Sequence, residues 1–521
     1  MGPCMARLAA TLSFLIFGLL LTLSSAPGAQ DAGGVTYSLR GYNLEIVPDF
    51  NAHRLSVDAT IDIANPQLLP SFVFGLSSRY STVIVEADSS RVTAERSGDW
   101  ITVTLARPTR AIRLRFHLEG APGISVDENR AVIADSSLFL LWSDRFYPMD
   151  FERWAPVRIS LILPAGFQAI APGRLVSSTV ESGKTHFVFE SLRPTTLFSV
   201  FADCRWRTSA RVVNGVTMKT LLCPQSERFR EQILATSGDV LKFYSDMMCP
   251  YPFDGFSFVE IDSIYARRAF PGFIGYSPRY LEKEFTTTGY DAHETALLWW
   301  DYTIRGTGPG SFQWTEGFGD YAEVMYAQSI GKPIAQTFQR FREEYLNTPA
   351  SDDLIYNDLR GNTPQKLIHG KYPWLLHLVR YVTGEKAFRS GLQLLFRRYR
   401  DSTFTMDRFV STLEDGTGQS LKWWREEWLE RRGVPDLMVS GKFESSAAGT
   451  QLSCTITQRG NVYHLPLEIS VTSGGQTQVE TVRLSKGVET FKFSSVTPPA
   501  TVQIDPGGWV LMRPVPVLEI R

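Results

Sequence analysis

Two stretches decide the reading of this chain: Asp291-Ala292-His293-Glu294-Thr295-Ala296-Leu297-Leu298-Trp299-Trp300, then Trp314-Thr315-Glu316-Gly317-Phe318-Gly319-Asp320-Tyr321. A helix written H-E-x-x-H puts two His four positions apart on one face, where they hold a zinc ion, and aims the intervening Glu at the metal-bound water. His293 and Glu294 fill the first two places, but the fourth-on place holds Leu297. Glu316 stands 19 positions beyond Leu297, on the next stretch of helical period.

Working outward, the chain changes period twice. Val35 to about Cys223 alternates apolar and polar residues in short runs, as in Tyr42–Ile46, Leu55–Ile63, Trp100–Leu105, Ala111–His117 and Val157–Leu163. Such runs, broken by Gly, Pro, Asn and Ser, indicate antiparallel strands in a sandwich or saddle. From Pro224 the period turns helical, through Phe229–Met248, Asp291–Arg305, Glu316–Ile330, Pro333–Tyr345, Trp374–Val382, Lys386–Tyr399, Met406–Leu413 and Ser420–Arg432. Gly433-Val434-Pro435 stops the helices, and Leu437 to Pro514 returns to short strands with Gly and Ser turns. The expected fold class is multidomain α+β: residues 30–223 an N-terminal β-saddle or sandwich, 224–435 mainly helical, and 436–521 a small C-terminal β-sandwich.

The whole chain has 521 residues, 43% hydrophobic and 21% charged, values of ordinary globular proteins that exclude a disordered or fibrous chain. Its 53 basic and 54 acidic residues give a net charge of -1, so charge makes no case for a nucleic acid or an anionic membrane as partner. Residues 1–29 read as an export signal: Arg7, an apolar run Leu8–Leu23, then small residues Ser24–Gln30. The run to Ala26 is also long enough for an uncleaved anchor, the only membrane contact the sequence suggests. Export to a secreted or periplasmic location is expected, and the lack of any N-x-S/T sequon leans towards a bacterial envelope. Cys204, Cys223, Cys249 and Cys454 remain after signal removal. They permit two disulfides, with Cys204 and Cys223 flanking the turn Val213-Asn214-Gly215, or four buried thiols.

The two opening stretches resemble the aminopeptidase N-type gluzincin metallopeptidases, whose signature is H-E-x-x-H-x18-E with the last Glu in N-E-G-F-A-x-Y. Trp299-Trp300 is similar to the aromatic pair that follows the second His of that family. Tyr147-Pro148, Leu163-Pro164-Ala165-Gly166-Phe167, Tyr251-Pro252-Phe253, Pro435 and Ile504-Asp505-Pro506 resemble further family elements, so the likeness runs from about Tyr147 to Pro506. It implies a β-saddle, a thermolysin-like helical domain and a small β-sandwich, with His293 and Glu316 in metal-ligand positions and Glu294 in the catalytic one.

Three departures fall on the chemistry. Catalytic zinc takes three protein ligands and keeps one open position, and Leu297 replaces one of the three. The family's G-x-M-E-N element binds the substrate amine through its Glu, and aligning Ala266-Arg267-Arg268-Ala269-Phe270-Pro271-Gly272 with it puts Ala269 in that place. The family's oxyanion-stabilising Tyr falls on His369, with Lys371 in the Lys position. Glu294 and His369 are therefore expected to hold vestigial or altered roles, and zinc binding to be weak or absent. The expected function is that of an exported pseudopeptidase that binds peptides or protein segments without cleaving them. The alternative is an active zinc aminopeptidase with an unusual ligand set. The residues that contact the peptide are not legible. The cluster Arg397, Arg398 and Arg400 reads as a solvated helix face, and His377 as a helix-packing residue.

Overall fold

The computed structural model describes residues 37–88, 90–121, 132–262, 266–309, 311–349, 353–355, 365–446 and 449–521. The signal or anchor segment 1–29 lies outside the described residues. Among the latter, no helix is long and apolar enough to cross a membrane.

The alternating runs near the N-terminus form a seven-stranded sheet in the order Arg174–Glu181, Lys184–Thr195, Ala155–Pro164, Ser38–Asp49, Arg54–Ala64, Ala111–Gly120, Tyr80–Ala87. Its strands alternate buried and exposed residues, as in Ala111–Gly120, because one face covers the core and the other meets water. All its pairs are antiparallel except Ser38–Asp49 with Ala155–Pro164, which runs parallel. The expectation of a purely antiparallel sheet is corrected there, since a connection of about a hundred residues returns the chain in the same direction.

A second sheet borders the candidate site. Its order is Arg207–Val213, Val216–Leu222, Phe256–Glu260, Phe273–Tyr276, Arg267–Phe270, so strands from both sides of Cys223 build it and Arg267–Phe270 forms one edge. Arg207–Val213 and Val216–Leu222 are a hairpin turning at Asn214 and Gly215, both at positive φ as a tight turn requires. Cys204 precedes the hairpin and does not face Cys223, and all four described cysteines are free thiols.

The helical region comprises α1 (Arg230–Met247), α2 (Pro278–Thr287), α3 (His293–Trp300), α4 (Ser311–Ser329), α5 (Ala335–Leu346), α6 (Gln365–Thr383), α7 (Glu385–Arg398) and α8 (Met406–Thr417). The helix expected to run to Arg305 ends at Trp300, because Ile304–Gly306 leaves it to pair in parallel with Ser402–Phe404. The last expected helix divides into a short turn, Lys422–Trp424, and a π-helical turn, Arg425–Leu429. Two glycines set the helix spacing. A Cβ at Gly317 would meet Tyr372 Cβ at 2.4 Å, and one at Gly370 would meet the backbone N of Tyr345 at 2.7 Å, so α6 crosses α4 and α5 closely only because both side chains are missing. C-terminally, a three-stranded sheet (Leu437–Ser446, Gly449–Gln458, Val488–Ser494) and a four-stranded one (Gln476–Leu484, Leu465–Ser473, Ala500–Ile504, Leu518–Ile520) bury one continuous apolar set between them.

His377 packs on the helical side, as read from the sequence. It stacks on Trp509 at 4.6 Å, takes a hydrogen bond with Tyr321 Oη at 3.1 Å, and burial pushes its pKa from 6.5 down to about 3. Arg398 lies on an exposed face, paired with Asp415.

Candidate active-site cleft

The eight residues of α3 are all buried, and its first turn is held by Asp291, whose Oδ1 accepts the backbone N–H of Glu294 at 3.0 Å. Gly319 lets α4 lie against that turn: a Cβ there would sit 3.0 Å from Leu297 Cδ2 and 3.3 Å from His293 Cε1. His293 and Glu316 therefore meet, with Nε2 3.2 Å from Glu316 Oε2. The spacing read from the sequence brings these two residues together. Leu297, 4% exposed, presents methyl groups on the same helix face.

The other nitrogen of His293 faces a residue the sequence reading missed. Nδ1 lies 3.0 Å from Asp320 Oδ1, and Asp320 Oδ2 lies 2.6 Å from His369 Nδ1. Asp320 thus bridges the two imidazoles. Helical spacing contained the signal, since Asp320 is one turn beyond Glu316 on α4. Burial by itself would lower the pKa of His293, but Asp320 and Glu316 outweigh it and hold the ring well above its ordinary value. His369 is raised in the same way, against burial, by Asp320. Burial also opposes the ionised form of Asp320, yet the two imidazoles keep its pKa well below the usual carboxylate range.

Glu294 is engaged from the other side. Arg267, on the sheet edge, places Nε 3.4 Å from Glu294 Oε1 and Nη1 3.3 Å from Glu284 Oε2, 3.4 Å from Tyr276 Oη and 3.9 Å from Asp291 Oδ1. Burial raises the pKa of Glu294 to about 7, with His293 and Arg267 pulling the other way. Arg267 was quoted in the sequence only as part of a stretch lacking an acid, and its own charge was the overlooked signal. Ala269, two residues along the same strand, is buried and carries no polar group, and its carbonyl accepts from Tyr302 Oη at 2.9 Å. Lys371 is buried beside Asp353, 3.6 Å away, and burial lowers its pKa. Tyr372 packs beneath Gly317.

These donors do not fit a three-ligand zinc in the H-E-x-x-H position. His293 and Glu316 supply two ligands, and Leu297 fills the third direction with carbon. One other convergence exists among the described residues: His293, Asp320 and Glu323 each place one ligand atom within 4.8 Å of the others.

No family model matches the chain. It is 25% identical over 148 residues to aminopeptidase N of Escherichia coli (strain K12), a stretch covering 25% of this chain and 17% of that protein. Over 84 residues it is 34% identical to aminopeptidase N of Streptomyces lividans, covering 16% and 10%. The chain thus spans less than a fifth of the length of these curated relatives. Among solved structures, a mutant M1 zinc metallopeptidase from Deinococcus radiodurans superposes with a TM-score of 0.64 at 17% identity, covering 77% of this chain and 96% of that one. The same protein bound to a Tyr-Ser-Ala substrate gives 0.63 at 18% identity, with coverage of 77% and 96%. The chain is therefore aminopeptidase N-like in sequence and has the fold of the M1 zinc metallopeptidases.

Proposed function

We propose that this chain is a pseudopeptidase, which takes peptides or exposed protein segments into an aminopeptidase-type cleft and releases them uncleaved. Leu297 carries the reading. Zinc lowers the pKa of bound water from about 15.7 to about 7, and with one of three ligands replaced by a hydrocarbon, Glu294 has no such water to activate. Retention of the fold around the cleft, and the peptide bound to its structural neighbour from Deinococcus radiodurans, support polypeptide as the ligand class. The segment 1–29 supports export to a secreted or periplasmic location.

The test pairs binding with turnover. Immobilised protein is exposed to a denatured-protein digest, and the retained peptides are eluted and sized. Peptides recovered intact after prolonged incubation with added zinc are the expected result. Their progressive N-terminal shortening would refute the reading.

A second reading is favoured by one observation, the convergence of His293, Asp320 and Glu323. A metal held there would make the chain a zinc peptidase with an unusual ligand set, and Asp320→Asn would then abolish both metal binding and hydrolysis.

A further inference from the structure

The side chain of Arg267 meets α3 at Glu294. It comes from the edge strand Arg267–Phe270, and three carboxylates and one phenol converge on it. A guanidinium keeps its proton at every physiological pH and presents a rigid fork of donors. A carboxylate set against it is drawn towards the anion, against the burial that raises the pKa of Glu294. It is also held in place, and Glu294 is fixed a second time through its backbone by Asp291.

Resting on the proposal of a non-hydrolytic cleft, we infer that Arg267 is a positioning residue that disables this cleft independently of Leu297. It is a resident cation that occupies Glu294 and opposes, by charge, any metal placed beside His293 and Glu316. Restoring the missing histidine then leaves a second obstacle intact. The sheet edge, rather than the metal-binding helices, supplies that obstacle.

Zinc affinity in the repaired helix tests this. Leu297→His is compared with Leu297→His combined with Arg267→Met, with Arg267→Gln and with Arg267→Lys, by competition against a chromogenic chelator at one pH. Two like charges in a partly buried site repel by several times thermal energy. Removing the cation should therefore tighten zinc binding about tenfold or more in the Met and Gln combinations, while Lys, which keeps the charge, stays within about threefold of Leu297→His. A merely architectural Arg267 gives the opposite sign, because a loosened cleft binds zinc more weakly. Gln keeps hydrogen-bond donors for Glu284 and Tyr276 and carries the comparison if Met does not fold. Zinc affinity unchanged or weakened in the charge-removing combinations overturns the inference. Turnover by the unaltered protein would instead overturn the pseudopeptidase reading, and leaves the comparison among repaired variants to decide the role of Arg267.

Discussion

The two faces of α3 obey different rules. Towards the core, Trp299 donates from Nε1 to the Cys249 carbonyl at 2.9 Å, and Trp300 packs between Phe318 at 5.1 Å and Phe396 at 5.0 Å. Towards the cleft, the same eight residues present His293, Glu294 and Leu297. The core face depends on volume and shape, and the aromatic residues that resemble those of the aminopeptidase N family are in place there. The cleft face depends on donors and charge, and there Leu297 presents methyl groups, a guanidinium meets Glu294, and His369 stands beside Asp320. Leu297 packs closely against Gly319 and keeps the helix pair together. Different atoms maintain the fold and the chemistry of such a site.

The comparison is sharpest where the core face is attacked. Trp300→Ala removes a fully buried indole and should cost about 3–5 kcal/mol, read by chemical denaturation, with added zinc giving no rescue. A cost under about 1 kcal/mol would remove the distinction between the faces. Next comes Leu297→His on the cleft side. It should destabilise the metal-free protein by about 1–3 kcal/mol, smaller because polar neighbours flank the new imidazole. Unlike the core variant, it should recover its melting temperature as zinc is titrated in. Aminoacyl chromogenic substrates should still turn over very slowly with this single variant, since Ala269 supplies no carboxylate and Arg267 still holds Glu294. Robust turnover would show Leu297 to be the sole lesion.

The most gradual effect lies in the seam that joins α6 to the C-terminal sheets. His377 is buried neutral, with a folded pKa of about 3 against 6.5 unfolded. The unfolded chain therefore binds the extra proton between these values, and stability is full above about pH 6.5 and falls as the pH drops towards 3. One such group contributes a slope of at most about 1.4 kcal/mol per pH unit. His377→Gln should flatten that part of the profile relative to the unaltered chain, and identical profiles would place the titration elsewhere.

Much of the scaffold was legible because periodicity reports which face is buried. The helices over 230–247 and 385–398 and the strand Trp100–Leu105 lie where the sequence places them. The short strands Phe256–Glu260, Arg267–Phe270 and Phe273–Tyr276 were not legible: runs of four or five residues are too short to carry a period of their own. That gap also hid Arg267, whose meaning depends on the strand aiming it at α3. His293, Glu316 and Leu297 were readable because helix geometry alone relates them. Asp320 shares that geometry, yet its role appears only once α6 brings His369 alongside.

The most direct test of the central claim is zinc stoichiometry. The purified, unaltered chain is dialysed against a mild chelator and analysed for metal per polypeptide. With only His293 and Glu316 in the ligand positions, the expected result is well below one zinc per chain, because two-ligand sites lose the competition for metal. A value close to one, retained through dialysis, would contradict the account.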